Sequence, residues 1–389
     1  MTDNVESTYQ FAIVGAGWRA LFYLRVAAAL SERFHLNGLV TRTRERAENV
    51  KSEWGVEAYS SLESLLQASR PDFIVLSVPR SVTADWLEEL TAAGLPVLCE
   101  TPPAADFPDL RRVSELIAQG ARVQVGEQYQ YQPLHGARLA LTDTDVIGDV
   151  SMVSLSVCHD YHAFSLMRRH LKVAGESAVL RATSTRAMIQ TGFETSGPRR
   201  GVDTVEEERI LGLVDFGNRL GLYDFAGEQY FSYIRSPHVI IRGSIGEIAD
   251  SRVRCLTGLD EPVTLELRRE QTGEEGDLGG YSLRGISFGD RWMYRNPFPG
   301  ARLSDDEIAI ATCMEHMGQY AKGGPPFYGL ADAAQDHYLS LCLHEAARTG
   351  EAIRTETQPW TARLLDPAAV GGATLARVVE DHGTSEGRL

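Results

Sequence analysis

Over its first third the chain alternates two hydrophobic patterns. Short, largely apolar runs at 11–14, 35–40, 71–79, 96–100 and 122–126 are each followed by a stretch that reads as helix, at 21–30, 45–54, 62–68, 87–93 and 110–118. A strand that is apolar on both faces is one covered on both faces, so five such runs separated by helices predict a parallel sheet with helices on either side. Gly94 stops one helix, and proline turns close two of the strands at Pro79 and at Pro102-Pro103.

Beyond residue 127 the pattern changes. A helix at 133–141, a strand at 151–157 and a helix at 163–171 are followed by strands at 210–216 and 219–225 about Gly217-Asn218, then at 230–234 and 239–242. Helices at 306–320 and 331–348 follow, separated by the loop Gly323-Gly324-Pro325-Pro326. Strands in close succession predict a mostly antiparallel platform. The fold class expected is therefore α/β plus α+β: an N-terminal Rossmann doubly wound parallel sheet (8–127) and a C-terminal, mostly antiparallel open-sheet domain (128–380) for substrate binding and oligomerisation. The polar ends, 1–8 and 381–389, are expected to fray.

Composition narrows the function classes. A length of 389 residues suits two domains, and no apolar stretch is long enough to span a membrane. A net charge of −15 disfavours nucleic acid and anionic membrane as partners. Cys99, Cys158, Cys255, Cys313 and Cys342 are scattered and odd in number, which fits a reduced, cytoplasmic setting and gives neither a disulfide framework nor a metal site. The partners left are a small-molecule substrate and further copies of the chain, as a homodimer or homotetramer through the exposed face of the platform sheet.

The sharpest local signal is Gly15-Ala16-Gly17-Trp18-Arg19-Ala20 between the first strand and the first helix. Gly15 permits a tight turn, Gly17 leaves room for a pyrophosphate to approach the backbone, and Ala20 allows close helix packing. Alone, the motif fits any glycine-rich turn; its place between strand and helix makes it a dinucleotide site. The second strand ends in Thr41-Arg42-Thr43-Arg44, without the carboxylate that would hold the ribose hydroxyls of NAD. An arginine here pairs with a 2′-phosphate, so NADP is favoured and NAD remains possible. Alternatively, Arg42 and Arg44 only begin a solvated helix. Because ligands sit beyond the carboxyl ends of such strands, Ser77, Pro79, Glu100, Thr101 and Gln128 are expected beside the nicotinamide, with Gly15, Gly17, Trp18, Arg19, Thr41 and Arg42 along the rest of the cofactor.

Cys99-Glu100-Thr101-Pro102-Pro103-Ala104, Ile147-Gly148-Asp149-Val150, the hairpin at 241–248 and the helix at 339–351 occur in an order and spacing that resembles the Gfo/Idh/MocA family, relatives of glucose-fructose oxidoreductase and inositol dehydrogenase. The resemblance covers nearly the whole chain. It implies an NAD(P)-dependent oxidoreductase that passes hydride between the nicotinamide and a sugar, cyclitol or similar polyhydroxy compound. It places the family's general acid/base histidine on His162, and puts Thr101 where the family has the lysine of a Glu-Lys-Pro element and Ser165 where it has an aspartate. Threonine has one hydroxyl donor and no useful acid–base range, so it does not replace that lysine.

The residues themselves point to Cys158-His159-Asp160-Tyr161-His162, a dense polar cluster before the helix at 163–171. Imidazole titrates near neutrality, which makes His162 or His159 the best proton carrier, with Tyr161 next. Each also fits a helix cap or a satisfied core position. Arg168 or Arg169 suits a substrate anion or a solvated helix face, and the aromatic, basic segment 290–298 suits sugar stacking, a subunit contact or the core. Asp224, Tyr230 and Arg235 read as ordinary sheet positions, and His316, His337 and His344 as packing or surface groups. Two alternatives stand beside the dehydrogenase reading: a non-catalytic dinucleotide-binding or sensor protein, and an enzyme that retains NAD for redox-assisted elimination or hydrolysis.

Overall fold

The computed structural model describes residues 8–194, 197–273 and 280–364, with side chains described outside 191–203. Apart from Thr8, the expectations for the two chain ends and for the stretch 365–380 lie outside these residues.

The first half is β1 (Tyr9–Val14), α1 (Ala20–Ala29), β2 (Phe34–Val40), α2 (Arg44–Trp54), β3 (Ala58–Tyr59), α3 (Leu62–Ala68), β4 (Phe73–Leu76), α4 (Thr83–Ala92), β5 (Val97–Cys99), α5 (Phe107–Ala118) and β6 (Val123–Val125). All six strands run parallel in the order β3-β2-β1-β4-β5-β6, and every residue of β4, β5 and β6 is buried. The apolar runs are thus the covered strands that their composition predicts. Helix starts follow local chemistry: Ser61 caps α3 through the Ser64 amide, and Asp106 caps α5 through the Asp109 amide. The strand order reverses between β1 and β4, and there the strand ends open a crevice.

The second half comprises α6 (Pro133–Thr142), β7 (Val150–Ser156), α7 (Asp160–Leu171), β8 (Val179–Glu194), β9 (Gly197–Asp215), β10 (Leu220–Ala226), β11 (His238–Gly243), β12 (Gly246–Ala249), β13 (Arg252–Leu256), β14 (Pro262–Thr272), β15 (Ser282–Phe288), β16 (Arg291–Arg295), α8 (Asp305–Ala321), α9 (Leu330–Thr349), β17 (Ile353–Arg354) and α10 (Thr361–Leu364). Eleven strands form one sheet in the order β16-β15-β14-β13-β12-β11-β7-β10-β9-β8-β17, antiparallel except for β7 beside β10. Leu166, Met167 and Leu171 of α7 and Leu339 and Leu343 of α9 join Val214 and Tyr223 of the sheet in the core.

The sequence pattern missed β3, β8 and β13 to β17, and misplaced one strand. Residues 230–234 are not a strand: Gly227–Phe231 is a 3-10 turn. Both lateral edges of β10 are already taken by β7 and β9, and the Gln229 amide donates to the Ser156 carbonyl at 2.8 Å, which pins the turn over the strand end. Arg168 faces neither substrate nor solvent: it is buried between α7 and α9, donating to Asp336 at 2.7 Å, while Arg169 is exposed. In the segment 290–298, Tyr294 and Phe298 are core residues on β16 and just beyond it, and Trp292 is half-buried.

The two sheets are joined where α8 returns to the first. The amide of Val125 donates to the Tyr328 carbonyl at 2.8 Å, and those of Phe327 and Tyr328 donate to the side-chain oxygen Oε1 of Gln124 at 2.8 and 3.0 Å. This sets β6 against the start of α9.

Candidate functional site

Between the halves lies a cleft of about 1070 Å³. Its walls carry Gly15, Gly17, Trp18, Arg19, Thr41, Arg42, Ser77, Pro79, Glu100, Thr101 and Gln128 from the first half or the junction, and His159, Tyr161 and His162 from the second. The residues expected along the cofactor and those of the polar cluster before α7 thus line one cleft, whereas Arg168, Arg169, Asp224, Arg235 and the segment 290–298 do not.

The glycine turn is shaped by contact. Gly15 has φ +112°, and a β-carbon there would lie 1.9 Å from the Ser77 carbonyl oxygen, so only glycine fits where β1 and β4 part. Gly17 is the opposite case: nothing lies within 4 Å of its β-carbon position. The following helix, α1, has no side-chain cap and no acid in its first turn. A space above Gly17 next to an uncapped helix start fits a diphosphate, whose charge the free amides and the helix dipole would hold. Farther along, Thr41, Arg42, Thr43 and Arg46 line the cleft. Arg44 instead reaches Glu48 at 2.8 Å, leaving Arg42 and Arg46 exposed and without an acidic partner among the described residues. The sequence reading missed Arg46, which lies in the first turn of α2 just beyond Thr41–Arg44.

Arg19 lines the cleft with its guanidinium already engaged. Nε donates to Glu100 at 2.9 Å, Nη1 donates to Asp306 at 2.9 Å, and Nη2 donates at 3.0 Å to Gln128 when that amide turns its oxygen inward. Tyr23 also donates to Glu100, at 2.6 Å. Burial works against the Arg19 charge, but Glu100 and Asp306 outweigh it and hold the guanidinium ionised. This residue ties the glycine turn to α8.

At the other end, α7 starts three residues earlier than the apolar spacing suggests, so Asp160, Tyr161 and His162 form its first turn instead of preceding it. Its amide ends are served locally, the Tyr161 amide donating to Asp160 Oδ1 at 2.8 Å. Burial would raise the Asp160 carboxyl, but His344, bonded to its other oxygen, brings it down to about 2. The His162 ring is held between Tyr129 and Tyr161, with centroids 4.5 and 4.4 Å away, and its Nδ1 lies 2.7 Å from Glu127 Oε2. Both side chains are buried, and Nε2 has no protein partner. Burial lowers His159 to about 4, with His162 adding to the effect, and raises Tyr161 to about 12 against the pull of Arg80, which donates to its hydroxyl at 3.3 Å. Near neutrality His159 is thus an uncharged imidazole and Tyr161 an intact phenol. Neither exchanges a proton readily there, and His162 remains.

Tyr230 donates or accepts at Tyr129 (3.0 Å) and accepts the His159 amide (3.0 Å), which fixes the turn 227–231 as the outer wall of the cleft. Asp224 on β10 pairs with Arg209, and Arg235, in the loop before β11 and not on the sheet, lies 3.6 Å from Glu207. Ser165 is buried with its hydroxyl unpartnered. Among the described residues no group of three or more His, Cys, Asp or Glu side chains is arranged to hold a metal ion, and no helix is long and apolar enough to cross a membrane.

A glycine crevice at the reversal of a parallel sheet, opening onto a histidine presented by an antiparallel platform, defines a Rossmann-fold protein with an appended open-sheet half. Residues 9–127 match the model of the Gfo/Idh/MocA oxidoreductase family, which describes an NAD-binding Rossmann fold. The chain is 27% identical over 131 residues to D-xylose 1-dehydrogenase (NADP(+)) 2 of Haloferax volcanii, an alignment covering 33% of this chain and 40% of that protein. It is 28% identical over 150 residues to inositol 2-dehydrogenase of Gluconacetobacter diazotrophicus, covering 38% and 44%. The chain thus aligns with less than half the length of these curated relatives. The fold extends further: a myo-inositol dehydrogenase structure from Corynebacterium glutamicum superposes with a TM-score of 0.61 at 17% identity, over 90% of this chain and all of that one.

Proposed function

We propose that this protein is an NADP-dependent oxidoreductase that oxidises or reduces one carbinol of a small polyhydroxy compound of the sugar or cyclitol type. The observation that carries the reading is the single cleft in which the Gly15–Gly17 crevice, the unpaired Arg42 and Arg46, and His162 all meet. The main-chain amides beside Gly17, Trp18 and Arg19 would hold the diphosphate, Thr41, Arg42 and Arg46 the 2′-phosphate, and Ser77, Pro79, Thr101 and Gln128 the nicotinamide end. The Arg19 side chain, saturated by Glu100, Asp306 and Gln128, would shape that crevice without touching the cofactor. The xylose and inositol dehydrogenases among its relatives support the substrate class, and the NADP(+) in the former's name supports the choice of nucleotide.

When bound, the nicotinamide supplies the acceptor or donor of hydride. The chain supplies the rest: His162 Nε2, open to the cleft, takes the hydroxyl proton as the carbonyl forms, and returns it in the reverse direction. Tyr161 and Tyr230 keep their protons and can orient substrate hydroxyls. Water is limited by the aromatic walls of Tyr129, Tyr161, Tyr230 and Phe231.

Thr101 supports a second reading. It lines the cleft where the resemblance puts a lysine, and a protein that binds the nucleotide without turning it over would lack that cation. The test is titration with NADPH and NADH, followed by NADP or NAD with a panel of polyols and aldoses. Formation of reduced cofactor establishes the oxidoreductase and excludes the silent binder. Tight nucleotide binding with no turnover on any substrate, in either direction, favours the binder, and product formed without net cofactor change favours elimination or hydrolysis. His162→Asn should lower kcat on the order of 10²-fold or more.

A further inference from the structure

We infer that Glu127 is the residue that sets His162 to work as a base, a role resting on the oxidoreductase reading above but decided by geometry of its own. Glu127 follows β6, in the chain that links the two sheets, and its carboxylate is sealed in: the residue is 2% exposed. Its two oxygens are divided. Oε1 accepts the Tyr129 amide at 3.1 Å, and Oε2 faces His162 Nδ1 at 2.7 Å. A carboxylate in that position accepts only, so it selects the ring form with the proton on Nδ1 and leaves the Nε2 lone pair toward the cleft. It also stabilises the imidazolium formed when Nε2 takes the proton of a substrate hydroxyl. In that step the alcohol O–H bond breaks, its proton moves to Nε2, the carbinol hydride leaves to the nicotinamide, and the carbonyl forms. Glu127 accepts from Nδ1 and never touches substrate, which makes it a positioning residue.

The surroundings leave no other group for this task. Asp160, the carboxylate nearest in sequence, is turned to His344 and to the Tyr161 amide. Ser165, one turn along α7 from His162, forms no hydrogen bond. Glu100 belongs to Arg19 and Tyr23. Arg80 and His159, the other basic groups by the cluster, bond or pack against Tyr161 and Tyr230. Because the ring is clamped between Tyr129 and Tyr161, its one free choice is which nitrogen carries the proton, and Glu127 makes it.

This arrangement makes an unusual prediction for the isosteric variant. In Glu127→Gln the single amide oxygen is claimed by the Tyr129 N–H, so the NH₂ group faces His162 Nδ1 and donates to it. The ring then carries its proton on Nε2 and can no longer accept one from substrate. An equivalent loss of the orienting charge in acid–base dyads costs several decades in rate.

The experiment reads the ring form directly, in ¹⁵N-histidine-labelled full-length protein at mildly alkaline pH, with His162→Asn used to assign the signal. Wild type should show Nδ1–H, Glu127→Gln should show Nε2–H, and Glu127→Asp should keep Nδ1–H. With a substrate from the polyol panel, Glu127→Gln should lose on the order of 10²-fold or more in kcat with KM within about threefold, and Glu127→Asp should recover part of it. NADPH affinity, whose site excludes Glu127, should be unchanged in both variants. Wild-type His162 found with its proton on Nε2 overturns the inference, even if neither variant folds. So does a Glu127→Gln protein with an unchanged ring form or unchanged kcat. Absence of nucleotide binding in wild type would instead overturn the oxidoreductase reading, because the ring form is measured without cofactor.

Discussion

A β-carbon on Gly15 would lie 1.9 Å from the carbonyl oxygen of Ser77, and Gly15 already sits at φ +112°. Two residues on, Gly17 faces open space. The same motif therefore contains one glycine required by the fold and one that the fold does not need. Gly15→Ala should destabilise the protein by about 2 kcal/mol or more, through both the clash and the left-handed backbone. Gly17→Val should alter stability by no more than about 0.5 kcal/mol, yet weaken NADPH binding at least about tenfold by filling the space above the turn. Urea denaturation and nucleotide titration of the two variants separate these effects; equal stability losses would remove the distinction.

Nucleotide choice should reside in Arg42 and Arg46 together. Both are exposed beside Thr41 and Thr43 at the end of β2, and neither has an acidic partner among the described residues. Replacing both by alanine should raise the Kd of NADPH about tenfold or more while leaving that of NADH within about threefold. Raising the salt concentration should weaken NADPH more than NADH, since the extra contact is between solvent-exposed charges. Equal losses for the two nucleotides would move the 2′-phosphate elsewhere.

The Arg19 clamp gives a stability prediction. Arg19→Met leaves Glu100 mostly buried with Tyr23 as its donor and no cation, and frees Asp306 from the glycine turn. Breaking such a pair from one side should cost about 3 kcal/mol. Adding Glu100→Gln should restore part of that loss, because the uncompensated charge goes with it. Chemical denaturation of the single and double variants tests the coupling, and simple additivity of two losses would contradict it.

His170 should set part of the acid sensitivity. It is fully buried, with Nδ1 3.2 Å from Thr142 Oγ1 and Nε2 unpartnered; burial first, and Arg138 and Arg169 after it, hold the ring down to about 3. The unfolded chain takes up this proton near pH 6.5 and the folded one does not. The group's contribution is therefore complete above pH 6.5 and declines as pH falls toward 3, at about 1.4 kcal/mol per pH unit. His170→Leu should flatten the fall in unfolding free energy between pH 6 and 4 by about one proton's worth. An unaltered slope would show that the ring is protonated in the fold.

Much of this protein was written locally. The apolar runs at 11–14 and 73–76 mark strands that must be covered on both faces, and the glycine turn lies between strand and helix because its residues permit that geometry and few others. His162 stood out because an imidazole at a strand-to-helix junction is a proton carrier near a cleft. The 3-10 turn at 227–231 was misread as part of a strand, since a short aromatic run has no period that separates the two, and sheet edges already filled by β7 and β9 decided it.

What the sequence alone determined is thus the alternation of strand and helix in the first half and the chemical types that line the cleft, because these depend on periodicity and on single-residue backbone preferences. Only the tertiary structure decided that Glu127 faces His162, that Asp306 reaches back to Arg19, and that Arg46 and not Arg44 turns into the cleft. Those pairings join residues far apart along the chain or choose between neighbours on one helix. Their distances are set by how packed elements dock against one another, which no local pattern encodes.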